Sequence, residues 1–276
     1  MSKPAQMADE VLRPWLAAWR VIPDGDAFST KFGSHLAPVL ADGAPAMLKV
    51  AGSEEERRGG ALMDWYAGEG AARVLAREGE AILLERAMGR RSLAGMAGAG
   101  DDDGASRILC ETISRLHAPR AASPPDTLVP LPAWFVALGP AAAAHGGVFA
   151  GSLAAADRLL ADPREPVVLH GDVHHDNVLD GGARGWLAID PKGLIGERGF
   201  DYANLFRCPT AEIALAPGRM RRQVGVVAAA AGLEPRRLLT WIHAYAGLGA
   251  AWSLQSGHDP APGLAIADLA AAELGG

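Results

Sequence analysis

The sequence predicts an α+β protein of two lobes, a small β-rich N-terminal lobe over residues 1–87 and a larger, mainly α-helical lobe over residues 88–276. Two patterns predict this division. Short apolar runs separated by turn signals fill residues 27–50, which is typical of strands. Beyond residue 205 the chain is mostly rich in Ala and Leu, which is typical of packed helices. With 276 residues and 49% hydrophobic content, the chain can bury a large core.

The β-rich segment contains three predicted strands. They lie around residues 27–28, over residues 35–40 and over residues 46–50, with an Asp-Gly turn at residue 42. Lys49 is a charged residue inside the third strand. On this strand alone, a lysine that faces solvent and a lysine that contacts a bound phosphate are both open interpretations.

A helix is predicted to begin at Ser53, which is followed three residues later by Glu56 in the pattern of a helix N-cap. Apolar residues follow at helical spacing. Three glutamates, Glu54, Glu55 and Glu56, could pair with the strand lysine, and helical periodicity does not select among them. The alternative is that they only favour the positive end of the helix dipole.

The next elements form the junction of the two predicted lobes. Residues 81–84 are an apolar run and predict a buried strand, and residues 85–88 predict the connection between the lobes. Residues 95–104 predict a surface loop that ends in a solvated acidic helix start. A stripe of apolar residues from 108 to 116 predicts a core helix, which the Pro-rich residues 119–132 end.

The most informative segment is His170-Gly-Asp-Val-His-His-Asp-Asn177, followed by Asp190 in Ile-Asp-Pro-Lys-Gly. Phosphoryl transfer needs a carboxylate that orients the attacking hydroxyl, then an amide and a second carboxylate that hold Mg²⁺ on nucleotide phosphates. Asp172, Asn177 and Asp190 supply these groups in that order. The segment therefore predicts the phosphoryl-transfer centre of a kinase.

A predicted hairpin connects the last two of these residues. Two short extended runs, residues 178–180 and 186–189, flank a Gly-rich turn. Antiparallel pairing about this turn would bring Asn177 and Asp190 side by side, since neighbouring strands lie about 4.8 Å apart. Two oxygen-bearing side chains at that separation can share one Mg²⁺ ion.

Two other interpretations of this segment stay open. Its three histidines and two aspartates could form the metal cluster of a zinc or di-iron hydrolase. The segment could also be an ordinary polar turn, in which aspartates and histidines bond to the backbone. The first leaves Asn177 and Asp190 without a role, and the second explains neither their spacing nor the second motif.

Composition constrains the partners. A net charge of −6 argues against a nucleic-acid partner and suits a cationic small molecule. No Gly-rich Walker loop is present, so a P-loop kinase or ATPase is excluded. The two cysteines, the absence of a long apolar segment and the mixed charges of residues 1–15 predict a cytoplasmic protein without a signal peptide or membrane anchor.

The motif-bearing segments resemble the aminoglycoside/hydroxyurea resistance kinase family, and within it most nearly the streptomycin 6-phosphotransferases. The resemblance includes Pro45-Ala-Met-Leu-Lys49, the segment 168–179 and the run Gly185 to Asn204, which contains Asp-Pro-Lys-Gly and Gly-Phe-Asp-Tyr-Ala-Asn. It extends over nearly the whole chain. His-Gly-Asp alone marks only the wider kinase superfamily.

The resemblance implies a protein-kinase-like fold, with a small nucleotide-binding lobe and a large catalytic and substrate-binding lobe, that transfers the γ-phosphate of ATP to a hydroxyl. Asp172 would be the catalytic base, Asn177 and Asp190 the Mg²⁺ ligands, and Lys49 the phosphate contact. The helix glutamate would be Glu56.

Further implied contacts lie in the connection between the lobes, at Glu85 and Ala87, whose backbone groups would face adenine. Asp201 would brace the catalytic loop through backbone amides. The loop of residues 29–34 has one glycine where protein kinases have several, so hydroxyl and backbone donors would replace them. The implied acceptor is the 6-hydroxyl of streptomycin, with hydroxyurea or another small molecule as the alternative.

Overall fold

A computed structural model describes residues 3–31 and 33–275. Two compact units emerge from the contacts between Cα atoms. The first comprises residues up to 90 with residues 120–127 and 179–193, and the second comprises the remainder. The predicted assignment of nucleotide binding to residues 1–87 and of catalysis to residues 88–276 stays a prediction.

The first unit is built on a twisted antiparallel sheet in the order β1-β3-β4-β6-β5, with β2 paired to β3. Its strands are β1 (Ile22–Pro23), β2 (Phe28–Ser29), β3 (His35–Ala41), β4 (Ala44–Val50), β5 (Val74–Glu78) and β6 (Ala81–Glu85). Alternation along β4 turns Leu48 into the core, where it is paired with Leu83. Helix α1 (Lys3–Ala18) covers this face with Leu12. The strands predicted over residues 27–50 are confirmed, with small shifts of their ends.

Helix α2 (Glu54–Tyr66) begins where the sequence predicts. The Ser53 side chain accepts a hydrogen bond from the Glu56 backbone N–H at 3.3 Å, so it satisfies one of the amides that a helix start leaves without a partner. Leu62, Met63 and Tyr66 are buried on one side. The predicted hairpin is also present, since β9 (Val178–Asp180) and β10 (Trp186–Ala188) pair across a 3₁₀ turn.

The second unit is mainly helical. Its helices are α3 (Leu93–Gly98), α4 (Asp102–Leu116), α5 (Leu131–Trp134), α6 (Leu138–His145), α7 (Gly147–Ala161), α8 (Phe200–Ala203), α9 (Ala211–Ala214), α10 (Arg219–Ala231), α11 (Pro235–Gln255) and α12 (Ala261–Gly275). A small sheet places β11 (Leu194–Glu197) between β7 (Val129–Pro130) and β8 (Pro166–Leu169). Phe200, Trp241 and Tyr245 pack edge to face in the core.

The surface loop predicted over residues 95–104 is wrong in two respects. Helix α3 occupies residues 93–98, because Ser92 caps it by accepting a hydrogen bond from the Gly95 N–H at 3.2 Å. Asp102 is also not solvated. It is buried and forms two hydrogen bonds with Arg219, at 2.8 and 2.9 Å. The cation that pairs with it lies 117 residues away, so the local sequence could not show it.

Two predictions from composition can be compared with the described residues. Cys110 and Cys208 are both free thiols. None of the described helices combines the length and apolar character needed to cross a membrane. Met1 and Ser2, within the N-terminal segment predicted to lack a signal peptide, lie outside the described residues.

Candidate active site

The strand lysine contacts two carboxylates within the first unit. Lys49 lies on β4 opposite to the core-facing Leu48, and its side chain is 14% exposed. Its ammonium group forms ion pairs with Glu56 on α2 and with Asp190. Of the three candidate glutamates, Glu56 is therefore the one that reaches the lysine.

The neighbouring glutamates have other partners. Glu54 is 72% exposed and pairs with Arg57 at 2.6 Å, one helical turn away. Glu55 pairs with Lys192 at 3.1 Å. The choice among the three follows from where the strand places Lys49, which helical periodicity alone does not contain.

Residues 190–192, which follow β10, contact helix α2. Asp190 has a φ of 62°, in the left-handed region that few residues other than glycine adopt. Arg58 donates from Nε to the Lys192 carbonyl at 2.8 Å. A Cβ at Gly59 would lie 2.2 Å from the Pro191 carbonyl oxygen, so only glycine allows this close approach. These contacts hold the strained Asp190 in place.

The loop before β3 is stabilised by its own hydroxyl groups. The Ser34 N–H donates to Thr30 Oγ1, and the Gly52 N–H donates to Ser34 Oγ, both at 3.1 Å. The hydroxyls expected to replace a Gly-rich loop thus hold the loop itself in shape. Phe32 lies outside the described residues.

Glu85 is the last residue of β6, and Ala87 lies two residues beyond it. The Glu85 carboxylate forms an ion pair with Arg184 and accepts a hydrogen bond from the Arg73 N–H at 2.7 Å. The Glu85 N–H donates to the Arg73 carbonyl at 2.9 Å. The Glu85 side chain therefore stabilises the first unit. Contact of the backbone at Glu85 and Ala87 with adenine stays a prediction.

In the second unit, neutral amides orient Asp172, which lies in the loop of residues 170–177. Asn204 donates from Nδ2 to Asp172 Oδ1 at 2.9 Å. Asn177 donates from Nδ2 to the Asp172 carbonyl at 2.9 Å and to its Oδ2 at 3.4 Å. Both carboxylate oxygens thus face amide donors, which fixes the plane of the carboxylate.

A buried carboxylate braces the loop, as the sequence predicts. Asp201 accepts hydrogen bonds from the backbone N–H groups of His170 at 2.9 Å and Gly171 at 2.7 Å. Its Oδ2 also lies 2.8 Å from His117 Nε2. Because Gly171 has a φ of 88°, glycine is suited to this sharp turn before Asp172.

The three histidines of the loop have separate environments. His170 accepts a hydrogen bond from the Asp172 N–H, and His174 from the Asp176 N–H, each at 3.2 Å through Nδ1. Burial, and next the charge of Arg219, lowers the pKa of His175 to about 4. Among the described residues no three His, Cys, Asp or Glu side chains are grouped to hold a metal. The geometry gives the metallohydrolase alternative no support.

The two predicted Mg²⁺ ligands suit a hard cation by their chemistry. Asn177 uses its amide nitrogen on Asp172, so its oxygen lies on the other side of the planar amide group. Asp190 offers a carboxylate that is already next to one cation, Lys49. Mg²⁺ is commonly held by few protein oxygens together with phosphates and water. Asn177 belongs to the second unit and Asp190 to the first, so joint binding of one ion stays a prediction.

Asn204 is a site residue to which the sequence assigns no role. It stands three residues after Asp201, at the end of the Gly-Phe-Asp-Tyr-Ala-Asn run. That short run thus supplies both the brace of the loop and a donor to Asp172. A polar residue one helical turn after a bracing carboxylate was the available signal.

Comparisons with known proteins show the family to which the chain belongs. The profile of the aminoglycoside/hydroxyurea antibiotic resistance kinase family matches residues 18–257. A streptomycin 3''-kinase of Klebsiella pneumoniae is 50% identical over 91% of this chain and 95% of its own length. A streptomycin 6-kinase of Streptomyces griseus is 34% identical over 66% of this chain and 61% of its own length.

Solved structures show the same fold at low sequence identity. Aminoglycoside phosphotransferase APH(4)-Ia has a TM-score of 0.67 at 16% identity, covering 95% of this chain and 98% of its own. A choline/ethanolamine kinase family protein of Mesorhizobium loti has a TM-score of 0.64 at 15% identity, covering 98% and 92%. The predicted α+β, protein-kinase-like fold is confirmed, and the chain belongs to the aminoglycoside/hydroxyurea antibiotic resistance kinase family.

Proposed function

We propose that this kinase transfers the γ-phosphate of ATP to streptomycin, at its 3''-hydroxyl, and so confers resistance to the drug. The observation that carries the proposal is the oriented carboxylate of Asp172, held by Asn177 and Asn204 in a braced loop. Similarity to a streptomycin 3''-kinase over nine tenths of the chain supports the acceptor.

Asp172 is the group that acts on the acceptor. Its carboxylate orients the attacking hydroxyl and accepts the proton as the new bond to phosphorus forms. The amides of Asn177 and Asn204 limit rotation of the carboxylate, so that little ordering remains to be done when the acceptor binds. Asp201 acts one step further away, since it fixes the backbone that carries Asp172.

Lys49 is the proposed contact to the nucleotide phosphates. Its two carboxylate neighbours hold the ammonium group in one position, and phosphate oxygens can replace Asp190 as a partner when ATP binds. Asn177 and Asp190 would hold Mg²⁺, which neutralises negative charge on the phosphates when it is bound.

The position of phosphorylation that we propose differs from the one expected from the sequence. The 3''-hydroxyl lies on the methylglucosamine ring of streptomycin, whereas the 6-hydroxyl lies on the streptidine ring. The 3''-kinase shares 50% identity over 91% of this chain, and the 6-kinase shares 34% over 66%. The greater similarity favours the 3''-hydroxyl. A hydroxyurea phosphotransferase of Kitasatospora aureofaciens, 30% identical over 90% of this chain, makes hydroxyurea the second candidate acceptor.

The test incubates the protein with ATP, Mg²⁺ and streptomycin and locates the phosphate on the product by phosphorus–proton correlation NMR. We expect one product, phosphorylated on the methylglucosamine ring, and none with Asp172→Asn. Phosphate on the streptidine ring would contradict the 3'' position. More efficient turnover of hydroxyurea or kanamycin than of streptomycin, compared as kcat/KM, would contradict the acceptor and leave the kinase chemistry in place.

The magnesium ligands are tested by titration with MgCl₂ at fixed ATP. We expect Asn177→Ala and Asp190→Ala each to raise the Mg²⁺ concentration needed for half-maximal activity, by about tenfold or more. Excess Mg²⁺ should restore activity most fully in Asn177→Ala, because a charged ligand remains. An unchanged Mg²⁺ requirement in both variants would contradict the ligand assignment. Asp176→Asn is the matched control, because this side chain is exposed on the same loop.

A further inference from the structure

Arg207 shares a short helix with a side chain that orients the catalytic base. Residues 204–207 form a 3₁₀ helix, in which side chains three residues apart are eclipsed. Asn204 opens this helix and donates to Asp172 Oδ1, and Arg207 closes it. The Arg207 side chain therefore leaves the helix on the same face as the amide that holds the catalytic carboxylate.

The guanidinium of Arg207 lies in a notch of helix α11. Its Cζ is 5.4 Å from the centroid of the Tyr245 ring. One turn along the helix, a Cβ at Gly249 would lie 2.4 Å from Arg207 Nη1 and 2.6 Å from Cζ. Any side chain at residue 249 would displace the guanidinium. The guanidinium of Arg207 thus lies against the Tyr245 ring and in the space left by Gly249.

The charges of Asp172 and Arg207 both affect the pKa of the buried Tyr245 hydroxyl. Burial raises the pKa of Tyr245, the carboxylate of Asp172 raises it further, and the charge of Arg207 lowers it. The pKa of Cys208 responds to the same two charges. It is raised to about 11, mainly by burial, with Arg207 lowering it and Asp172 raising it. Arg207 and Asp172 therefore lie in one electrostatic neighbourhood of the second unit.

Arg207 differs from other arginines of this unit. Arg219 pairs with Asp102, Arg237 with Glu197 and Arg198 with Glu165. Over residues 3–31 and 33–275, the partly buried guanidinium of Arg207 has an aromatic ring as its partner and no ion pair or hydrogen bond. Partly burying a guanidinium without an acceptor costs free energy. The N–H groups of an arginine in this position can donate hydrogen bonds to a bound ligand.

We propose that Arg207 binds the phosphoryl group while it passes to the acceptor hydroxyl. A cationic acceptor would be repelled by this guanidinium, whereas the transferring phosphoryl group is the anion that the reaction brings next to Asp172. The planar donors of arginine match two phosphate oxygens at once. This inference rests on the proposed kinase function and adds a catalytic residue to it.

The chemistry balances without a further reactant. The acceptor oxygen bonds to the γ-phosphorus, and the bond from that phosphorus to the bridging oxygen breaks, with its electron pair going to ADP. The hydroxyl proton goes to Asp172 and then to solvent. Arg207 keeps its proton and donates two hydrogen bonds to non-bridging oxygens, on which negative charge accumulates.

The experiment compares Arg207→Met, Arg207→Lys and Arg207→Ala with wild type and with Arg158→Met, an exposed arginine of the same unit. Methionine keeps an unbranched chain to pack against Tyr245. We expect kcat at saturating ATP and streptomycin to fall by about 10²–10³ in Arg207→Met, as for loss of other donors to transition-state charge. Tm and the affinity for ATP should stay near the wild-type values. Lysine should restore part of kcat, and added methylguanidine should partly rescue Arg207→Ala.

Three outcomes would overturn the role of Arg207. These are a kcat within threefold of wild type in Arg207→Met, a change confined to the KM of streptomycin, and a loss of kcat that follows a fall in Tm without methylguanidine rescue. The wild-type assay separates this failure from failure of the proposed function. No phosphorylated drug from wild type overturns the function, whereas normal transfer by both wild type and Arg207→Met overturns the arginine alone.

Discussion

The clusters around Lys49 and Asp172 are held together by different interactions. Lys49 is fixed by two opposite charges, from Glu56 and Asp190. Asp172 is fixed by the neutral amides of Asn177 and Asn204. In the proposed function the lysine exchanges a carboxylate for a phosphate, since both partners are anions. The two amides are uncharged, so these contacts orient the Asp172 carboxylate through hydrogen bonds alone.

The comparison predicts that Asp172 has the largest effect on the rate. Asp172→Asn keeps the shape of the side chain and removes the base, so kcat should fall by about two to four powers of ten. ATP binding should be unchanged, because the role proposed for this residue is on the acceptor. Steady-state kinetics and calorimetric titration with ATP measure the two effects.

Asp176→Asn provides the control for this change. Asp176 lies on the same loop and is exposed. Its variant should retain nearly wild-type activity. Near wild-type turnover by Asp172→Asn would remove the aspartate from the mechanism and with it the contrast between the two clusters.

The lysine cluster should show a smaller but substantial effect. Lys49→Met removes the cation, and we expect kcat/KM for ATP to fall by about 100-fold, in the range found for loss of a charge-stabilising donor. Glu56→Gln keeps the lysine and weakens its placement, so the loss should be smaller, about tenfold. Equal kcat/KM values for these variants and wild type would contradict a phosphate contact at Lys49.

Glu54→Gln is matched to Glu56→Gln. It changes the same residue type on the same helix, but Glu54 faces solvent and pairs with Arg57. Exposed pairs contribute about 0–1 kcal/mol, so this variant should retain both activity and stability. A loss as large as that of Glu56→Gln would show that total charge on α2 matters rather than the contact with Lys49.

The brace under Asp172 tests the positioning of the loop backbone separately from the charge of Asp172 itself. Asp201→Asn replaces one of two acceptor oxygens by a donor, which would face a backbone N–H or His117. A buried donor without an acceptor costs about 1–3 kcal/mol. We expect a lower Tm and a fall in kcat of about tenfold, with unchanged ATP affinity.

Exposed Asp157 in the same unit supplies the control, as Asp157→Asn. It should change neither Tm nor kcat. If Asp201→Asn lowers Tm and leaves kcat at the wild-type value, the brace stabilises the fold without positioning Asp172.

The sequence predicts the local elements of the site and misses their long-range partners. Ser53, Lys49 and the hairpin are recognisable because caps, strand alternation and Gly-rich turns act within a few residues. The sequence predicts that Asp102 is solvated, because Arg219, which pairs with it, is remote in the chain. For the same reason the sequence assigns Glu85 only to the predicted connection between the lobes, whereas its carboxylate pairs with Arg184.

Selection within a set of similar residues also needed the structure. Three consecutive glutamates have nearly equal sequence signals, and only the placement of β4 beside α2 selects Glu56. For Asn204 the sequence supplied the motif and no role. In each case the missing information was the direction in which a side chain extends from its own element toward another.

The smallest expected effect is a pH dependence of stability at Glu197. This carboxylate accepts hydrogen bonds from a charged partner, Arg237, and from a neutral one, Trp241. Burial alone would raise its pKa, but hydrogen bonds from Arg237 and then Trp241 outweigh burial and hold the pKa below its usual range. A carboxylate with a lowered pKa in the folded state stabilises the protein above its unfolded pKa, about 4.3, and this stability is lost as the pH falls through the folded pKa. Thermal unfolding of wild type should therefore be insensitive to this group above about pH 6, and Tm should fall below about pH 4.5.

Glu197→Gln should lower Tm at pH 7 and show a smaller further decrease between pH 6 and pH 3, since the variant has already lost this contribution. Trp241→Phe removes one neutral donor and leaves Arg237, so it should retain most of the pH dependence. Glu165→Gln is the control, because Glu165 is an exposed carboxylate paired with an arginine and its screened interaction contributes little. If Trp241→Phe abolished the pH dependence, Trp241 rather than Arg237 would be the main partner that lowers the pKa of Glu197. If Glu197→Gln kept the full pH dependence, a different group would be its source.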